Sequence, residues 1–159
     1  MAISAFFKTP PYFSEDPAQA VRGKLIEVVC GVTLTAAGFT SAAAGDIPLG
    51  DAIPKGNWRI RCDLSRIQCS AATATSDLDV GLAAYVKADG SSQALQGALL
   101  ADSLDVGGGA VDVKPNSGVV IDVNSRDGIG LVCSFDTANS PTSGQRVLVN
   151  LVLQKLPLP

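Results

Sequence analysis

"SDLDVGLA", residues 76–83, decides how this chain is read. Two aspartates one residue apart, followed by a glycine, look like the front of a cation-binding loop. The surrounding residues point elsewhere. Leu78, Val80, Leu82, Ala84 and Val86 share one apolar face, and Asp77, Asp79, Gly81, Ala83 and Tyr85 share the other. Such alternation is the signature of a half-buried strand. A calcium loop of the EF-hand kind closes with a bidentate Glu at its twelfth position. With Asp77 first, that position is Ala88. On an extended backbone the two carboxylates stand about 7 Å apart, too far to chelate one ion without help. The stretch therefore reads as a strand with a wet face, and no metal site is expected.

The same period recurs outward in both directions. Ile26, Val28, Cys30, Val32 and Leu34 alternate with Glu27, Val29, Gly31, Thr33 and Thr35. In "WRIRCDLS", residues 58–65, Trp58, Ile60, Cys62 and Leu64 are expected inside, with Arg59, Arg61, Asp63 and Ser65 outside. Val119, Ile121 and Val123 alternate before an Asp127-Gly128 hairpin signal, and Ile129, Leu131, Cys133 and Phe135 resume the pattern. Val147, Val149, Leu151 and Leu153 form the last inward face. Leu148 and Val152 make that strand apolar on both sides, so it is expected to be central or covered by a partner. Two stretches break the pattern. "IPLGDAIPKGN", residues 47–57, reads as turns, because of its prolines and glycines. Beyond the Asp89-Gly90 turn, Ser91 or Ser92 could cap a short helix bearing Ala94, Leu95, Ala98 and Leu99. The Gly107–Gly109 run precedes a strand-like "AVDV", not a helix, and reads as a loop or bulge instead of a phosphate cradle.

These elements predict an all-β domain: a jelly-roll or Greek-key β-sandwich or barrel of about 7–8 strands, with at most one short helix. The expected organisation is an extended N-terminal arm over 1–24, the β-domain over 25–155, and an extended tail over 156–159. The arm is broken by Pro10, Pro11 and Pro17, yet it carries Phe6, Phe7, Tyr12 and Phe13. Aromatic residues of this kind lie back on their own domain or anchor a neighbouring subunit.

Composition removes several function classes. At 159 residues the chain is long enough to bury a full core without disulfides or metal. Its net charge is -3, and its twelve basic residues are scattered, which argues against direct nucleic-acid binding. There is no histidine, so the Ser-His and Cys-His nucleophile pairs are excluded. Carboxylate pairs such as Asp102 and Asp105 exist, but acid–base work also needs a cleft, so an enzyme is not expected. Cys30, Cys62 and Cys133 each sit among alternating apolar residues and are expected to be buried thiols, while Cys69 is ambiguous. The start lacks a basic, then apolar, signal-peptide pattern, and no apolar run is long enough to span a bilayer. A reducing compartment of synthesis is expected.

A broader pattern runs from "IPKGNWRIRCDLSRIQCSAATATSDLDVGLAAYVKADGSSQAL", residues 53–95, to "GQRVLVNLVLQKL", residues 144–156. It comprises a Pro-Gly turn, a basic strand, an Ala/Thr turn, "LDVGLA", a polar stretch and a Val-rich last strand. In this pattern the chain resembles the cement, or head decoration, proteins of tailed bacteriophages, which carry jelly-roll domains. The resemblance covers about two-thirds of the chain and leaves out the arm. It implies a non-enzymatic virion protein on the capsid surface, without a cofactor. Its implied partners are the major capsid protein and its own copies as dimers or trimers, with no nucleic acid and no membrane. The residues suited to such contacts are Phe6, Phe7, Pro10, Pro11, Tyr12 and Phe13 in the arm, Arg59 and Arg61, and Leu156 and Leu158 in the tail. Two alternatives remain: another phage component (tail, neck or host-attachment module), and a carbohydrate-binding β-sandwich. For the latter, Trp58 falls in an inward phase and only Tyr85 sits on a polar face.

Overall fold

The alternation around Asp77 builds a strand in the middle of a four-stranded sheet. The computed structural model describes residues 3–8, 25–34, 47–70, 77–87, 89–107, 109–123, 128–135 and 144–157. These contain thirteen strand elements: β1 (Ile3–Lys8), β2 (Leu25–Leu34), β3 (Ile47–Ile53), β4 (Gly56–Ile60), β5 (Arg66–Cys69), β6 (Asp77–Leu82), β7 (Tyr85–Val86), β8 (Ser92–Gln93), β9 (Gln96–Asp105), β10 (Val111–Val113), β11 (Val120–Val123), β12 (Ile129–Phe135) and β13 (Arg146–Lys155). The all-β expectation holds, and no helix occurs among the described residues.

Two sheets face each other, and every pairing is antiparallel. The larger sheet runs β1-β2-β13 and then forks, with β5 and β10 beside one half of β13 and β4 and β11 beside the other. The smaller runs β3-β12-β6-β9, and β7 and β8 form a separate hairpin. Inward residues of both sheets make one core, with Val28, Ile67, Leu78, Leu82, Leu100, Ile121, Leu131, Phe135 and Val149 all fully enclosed. Each such aliphatic or aromatic side chain contributes on the order of 1.5–3 kcal/mol by leaving water. The last strand, apolar on both faces, is indeed central: β13 pairs with β2 on one edge and with β4 and β5 on the other.

Successive strands pass between the two large sheets at β2–β3, β3–β4, β5–β6, β9–β10, β11–β12 and β12–β13, and β6–β7 and β8–β9 lead to and from the separate hairpin. This corrects the hairpin reading of Asp127-Gly128. β11 pairs with β4 in the larger sheet, whereas β12 pairs with β3 and β6 in the smaller. The strands on either side of Asp127-Gly128 therefore belong to different sheets, and Gly128 takes a φ of 83° beside the Ile53 carbonyl. Thirteen strand elements stand where seven or eight were expected, and β3 and β9 are among those hidden in the sequence. β3 carries Pro48 and Gly50, yet it is an edge strand, where a missing backbone donor is tolerated. β9 replaces the possible helix. It is also an edge strand, and register shifts against β6 erase its alternation.

The inward–outward phase of "WRIRCDLS" holds only to Ile60. Residues Arg61–Leu64 then loop out in a turn closed by Leu64 N–H donating to Arg61 C=O at 3.0 Å. Leu64 is left 50% exposed, Cys62 half-buried, and Ser65 wholly buried, the reverse of the simple alternation. β4 and β5 are thus one strand interrupted opposite β13. Ser65 Oγ repairs the ladder, donating to Arg61 C=O at 2.8 Å and accepting from Val152 N–H at 2.9 Å. Replacing Ser65 with alanine strands the Val152 N–H and leaves the Arg61 carbonyl with the Leu64 N–H alone, and a loss of about 1–3 kcal/mol is expected. Urea unfolding of Ser65→Ala measures it. A midpoint equal to wild type would mean that the hydroxyl plays no part in the ladder.

Candidate functional site

Three surfaces are candidates for contact: the β1 edge, the outer face of the larger sheet, and a cleft beside the β7–β8 hairpin. At the first, Ile3–Lys8 runs antiparallel to β2 from Ile3 opposite Leu34 to Lys8 opposite Val29. Phe6 and Phe7 therefore lie on a strand that extends the chain's own sheet, opposite Gly31 and Cys30. Pro10, Pro11, Tyr12, Phe13 and Leu158 fall outside the described residues. Leu156, partly buried, ties the start of the tail to β4 through its N–H to the Asn57 carbonyl at 2.8 Å.

On the outer face of the larger sheet, Val29, Leu148 and Val152 form a half-buried apolar strip. Arg59 and Arg66 flank it, exposed, with Glu27 on the other side. Asn150 Nδ2 donates to Glu27 Oε1 at 2.7 Å, while its Oδ1 is buried without a hydrogen-bond partner among the described residues. Arg66 approaches Asp112 at 3.7 Å. Arg59 and Arg61 do not form the pair their spacing suggests. Arg61 sits on the looped-out turn and clasps Asp63 through two hydrogen bonds of 3.0 and 2.8 Å. This clasp holds the Asp63 carboxyl below its usual range.

The aspartates of the opening motif do structural work. Asp79 Oδ1 accepts the backbone N–H of Ser103 at 2.7 Å, which secures β9 where Ser103 adopts a φ of 51°. Asp77 lies opposite Asp105 on β9. No group of three or more His, Cys, Asp or Glu able to hold a metal occurs among the described residues. Gly81 answers a different need. A side chain there would overlap the backbone of Gln96 and Gly97, so glycine permits β6 and β9 to approach.

All four cysteines are free thiols. Cys30, Cys69 and Cys133 are buried, whereas Cys62, expected inside, is half-buried because it rides the Arg61–Leu64 turn. Burial pushes Cys30 up to about 12 and Cys69 to about 11, with the Gln145 side chain, 3.3 Å from the Cys69 sulfur, opposing the latter slightly. At pH 8, Cys30 then carries roughly a thousandfold less thiolate than an ordinary thiol near pH 8.5. Iodoacetamide at pH 8 is expected to label the native protein once, at Cys62, and the other three only after denaturation. Peptide mapping reads this directly, and early modification of Cys30 would contradict it.

The cleft lies beside β7 and β8, where β9 and β11 face each other as sheet edges. Its volume is about 610 Å³. Tyr85, Lys87 and Gln93 come from the hairpin and its turn, Gln96 from β9, and Asp122 from β11. Asn116 lines one side, bonding through its backbone N–H to Leu100 C=O at 2.8 Å and through Nδ2 to Leu99 C=O at 3.0 Å. Burial, and secondarily the Asp122 carboxylate, raises Tyr85, which keeps its phenol protonated as a donor. Sequence reading placed Tyr85 on a polar face, but the convergence of Asn116 and Asp122 upon it had no local signal. Those residues lie more than thirty positions away and meet only when the sheet edges do.

No protein-family model matches the chain, and no curated protein matches it. Among solved structures, it is similar to a chain of the cyanophage Pam1 capsid asymmetric unit. The TM-score is 0.56 at 17% sequence identity, over 85% of this chain and 86% of that one. At that identity the likeness establishes a shared fold.

Proposed function

We propose that this protein is a non-enzymatic structural component of a phage virion that binds the outside of an icosahedral capsid and stabilises the junctions between capsomers. The fold shared with a capsid chain along nearly the whole length carries the reading. The physical design agrees with it. A double-layered β-core with a single enclosed interior is rigid, and weak contacts repeated by symmetry hold a shell through effective concentration. The arm and the outer face of the larger sheet are the contact surfaces. The arm beyond β1, with Pro10, Pro11, Tyr12 and Phe13, reaches the major capsid protein or a second copy of this chain, and Phe6 and Phe7 belong to the β1 edge of the same contact surface. The strip of Val29, Leu148 and Val152, with Arg59 beside it, offers an apolar centre with a charged rim. Dimers or trimers then sit over capsomer junctions.

The test is binding of the purified full chain to expanded heads that lack it, followed by imaging of the particle exterior. Removing residues 1–20 takes away β1 but leaves β2 held along its length by β13. The truncated protein is expected to keep its β-sheet circular dichroism and cooperative melting, and to bind heads at least about tenfold more weakly, a loss of roughly 1.4 kcal/mol. Undiminished binding by a folded truncation would remove the arm from the interface. Failure of the full chain to bind heads at all would overturn the reading itself.

A further inference from the structure

We propose that the cleft beside the β7–β8 hairpin is a binding site for a neutral oligosaccharide, an activity additional to capsid attachment. Its volume, about 610 Å³, falls within the roughly 300–1,000 Å³ of small-ligand clefts, with room for more than one sugar ring. The chemistry of the lining makes the choice. Tyr85 supplies a half-buried aromatic ring, which suits the C–H face of a pyranose. Around it stand Gln93, Gln96, Asn116, Asp122 and Lys87. Planar amides offer a donor and an acceptor together, and a carboxylate accepts two adjacent hydroxyls at once. A sugar presents these complementary groups in the same density.

Other ligand classes fit less well. One cation, Lys87, is offset by one anion, Asp122, so a phosphate ester or a nucleic-acid backbone finds no net attraction. A wholly apolar ligand would desolvate the amides without replacing their hydrogen bonds. Among the described residues, no hydrogen bond engages the side chains of Tyr85, Gln96 or Asp122. These groups are thus available to a ligand, while Asn116, bonded to Leu100 through its backbone N–H and to Leu99 through its side chain, holds its side of the cleft in place beforehand.

The experiment uses the full-length protein and a panel of linear trisaccharides built from glucose, galactose, mannose or N-acetylglucosamine. Binding is read by amide chemical shifts and by calorimetry. At least one trisaccharide is expected to bind with a Kd of about 1 mM or tighter and to shift the amides of Tyr85, Gln96 and Asp122. Tyr85→Ala and Asp122→Asn should each weaken that binding roughly tenfold or more, with Tyr85→Phe retaining most of it. Asp122→Asn, nearly isosteric, guards against loss through misfolding. Absence of binding by every trisaccharide at about 10 mM overturns the inference, as does binding that survives both Tyr85→Ala and Asp122→Asn. Loss of head binding in these variants, with no sugar bound by the wild type, overturns it too and assigns the cleft to the capsid interface, leaving the structural role intact.

Discussion

Phe135→Ala is expected to destabilise the fold by about 3–5 kcal/mol, the usual cost of emptying a large aromatic site in a packed core. Phe135 is 1% exposed and is the bulkiest of the fully enclosed side chains. It ends β12, opposite Leu78 of β6, and faces the interior between the two sheets. Its neighbours cannot close the void cheaply, because β12 is fixed by β3 on one side and β6 on the other. For a domain of this size 1 kcal/mol is worth roughly 2–4 °C, so melting should fall by about 6–20 °C. Differential scanning calorimetry measures it. A fall of less than about 3 °C would mean that this end of the sandwich is loosely packed.

Gly81→Ala should be nearly as severe, although it adds only one methyl group. That methyl would occupy the space of the Gln96 carbonyl and the Gly97 backbone. Backbone cannot swing aside as a flexible side chain does, so β9 must move off β6. The expected cost is about 3 kcal/mol, at the upper end of overpacking losses. Gly90→Ala is the control. Gly90 has a φ of 83° but open space around it, so its substitution incurs the backbone penalty alone, about 1 kcal/mol. If the two variants unfold at the same denaturant concentration, close approach of the strands is not what Gly81 provides.

Gly81 also shows how much of the site was legible. The alternation of Leu78, Val80 and Leu82 announced a buried strand, and all three are enclosed, but Ala84 and Val86, expected on the same face, are exposed because the strand ends at Leu82. Nothing near them announced that Asp79 would hold the Ser103 amide twenty-four residues on. Trp58 and Ile60 were placed correctly, while Ser65 and Leu64 were reversed, because three extra residues are fitted between Ile60, opposite Leu153, and Ile67, opposite Val149, and an odd insertion inverts the even-odd count. β3 was masked by Pro48 and Gly50, and β9 by an edge position that removed the demand for alternation. In the cleft, Tyr85 was visible as an aromatic on a polar face, but its companions on β9 and β11 were not.

The sequence by itself determined the all-β class, the inward faces of β2, β6, β12 and β13, and the absence of histidine-based chemistry, because burial on a pleated strand writes a period of two into neighbouring residues. Tertiary structure alone decided which strands share a sheet, where the larger sheet forks, and that the hairpin, two edge strands and the turn before β11 line a polar cleft. Those outcomes depend on contacts between residues far apart in the chain. Such contacts are set by the docking of two sheets, and they leave no local pattern to read.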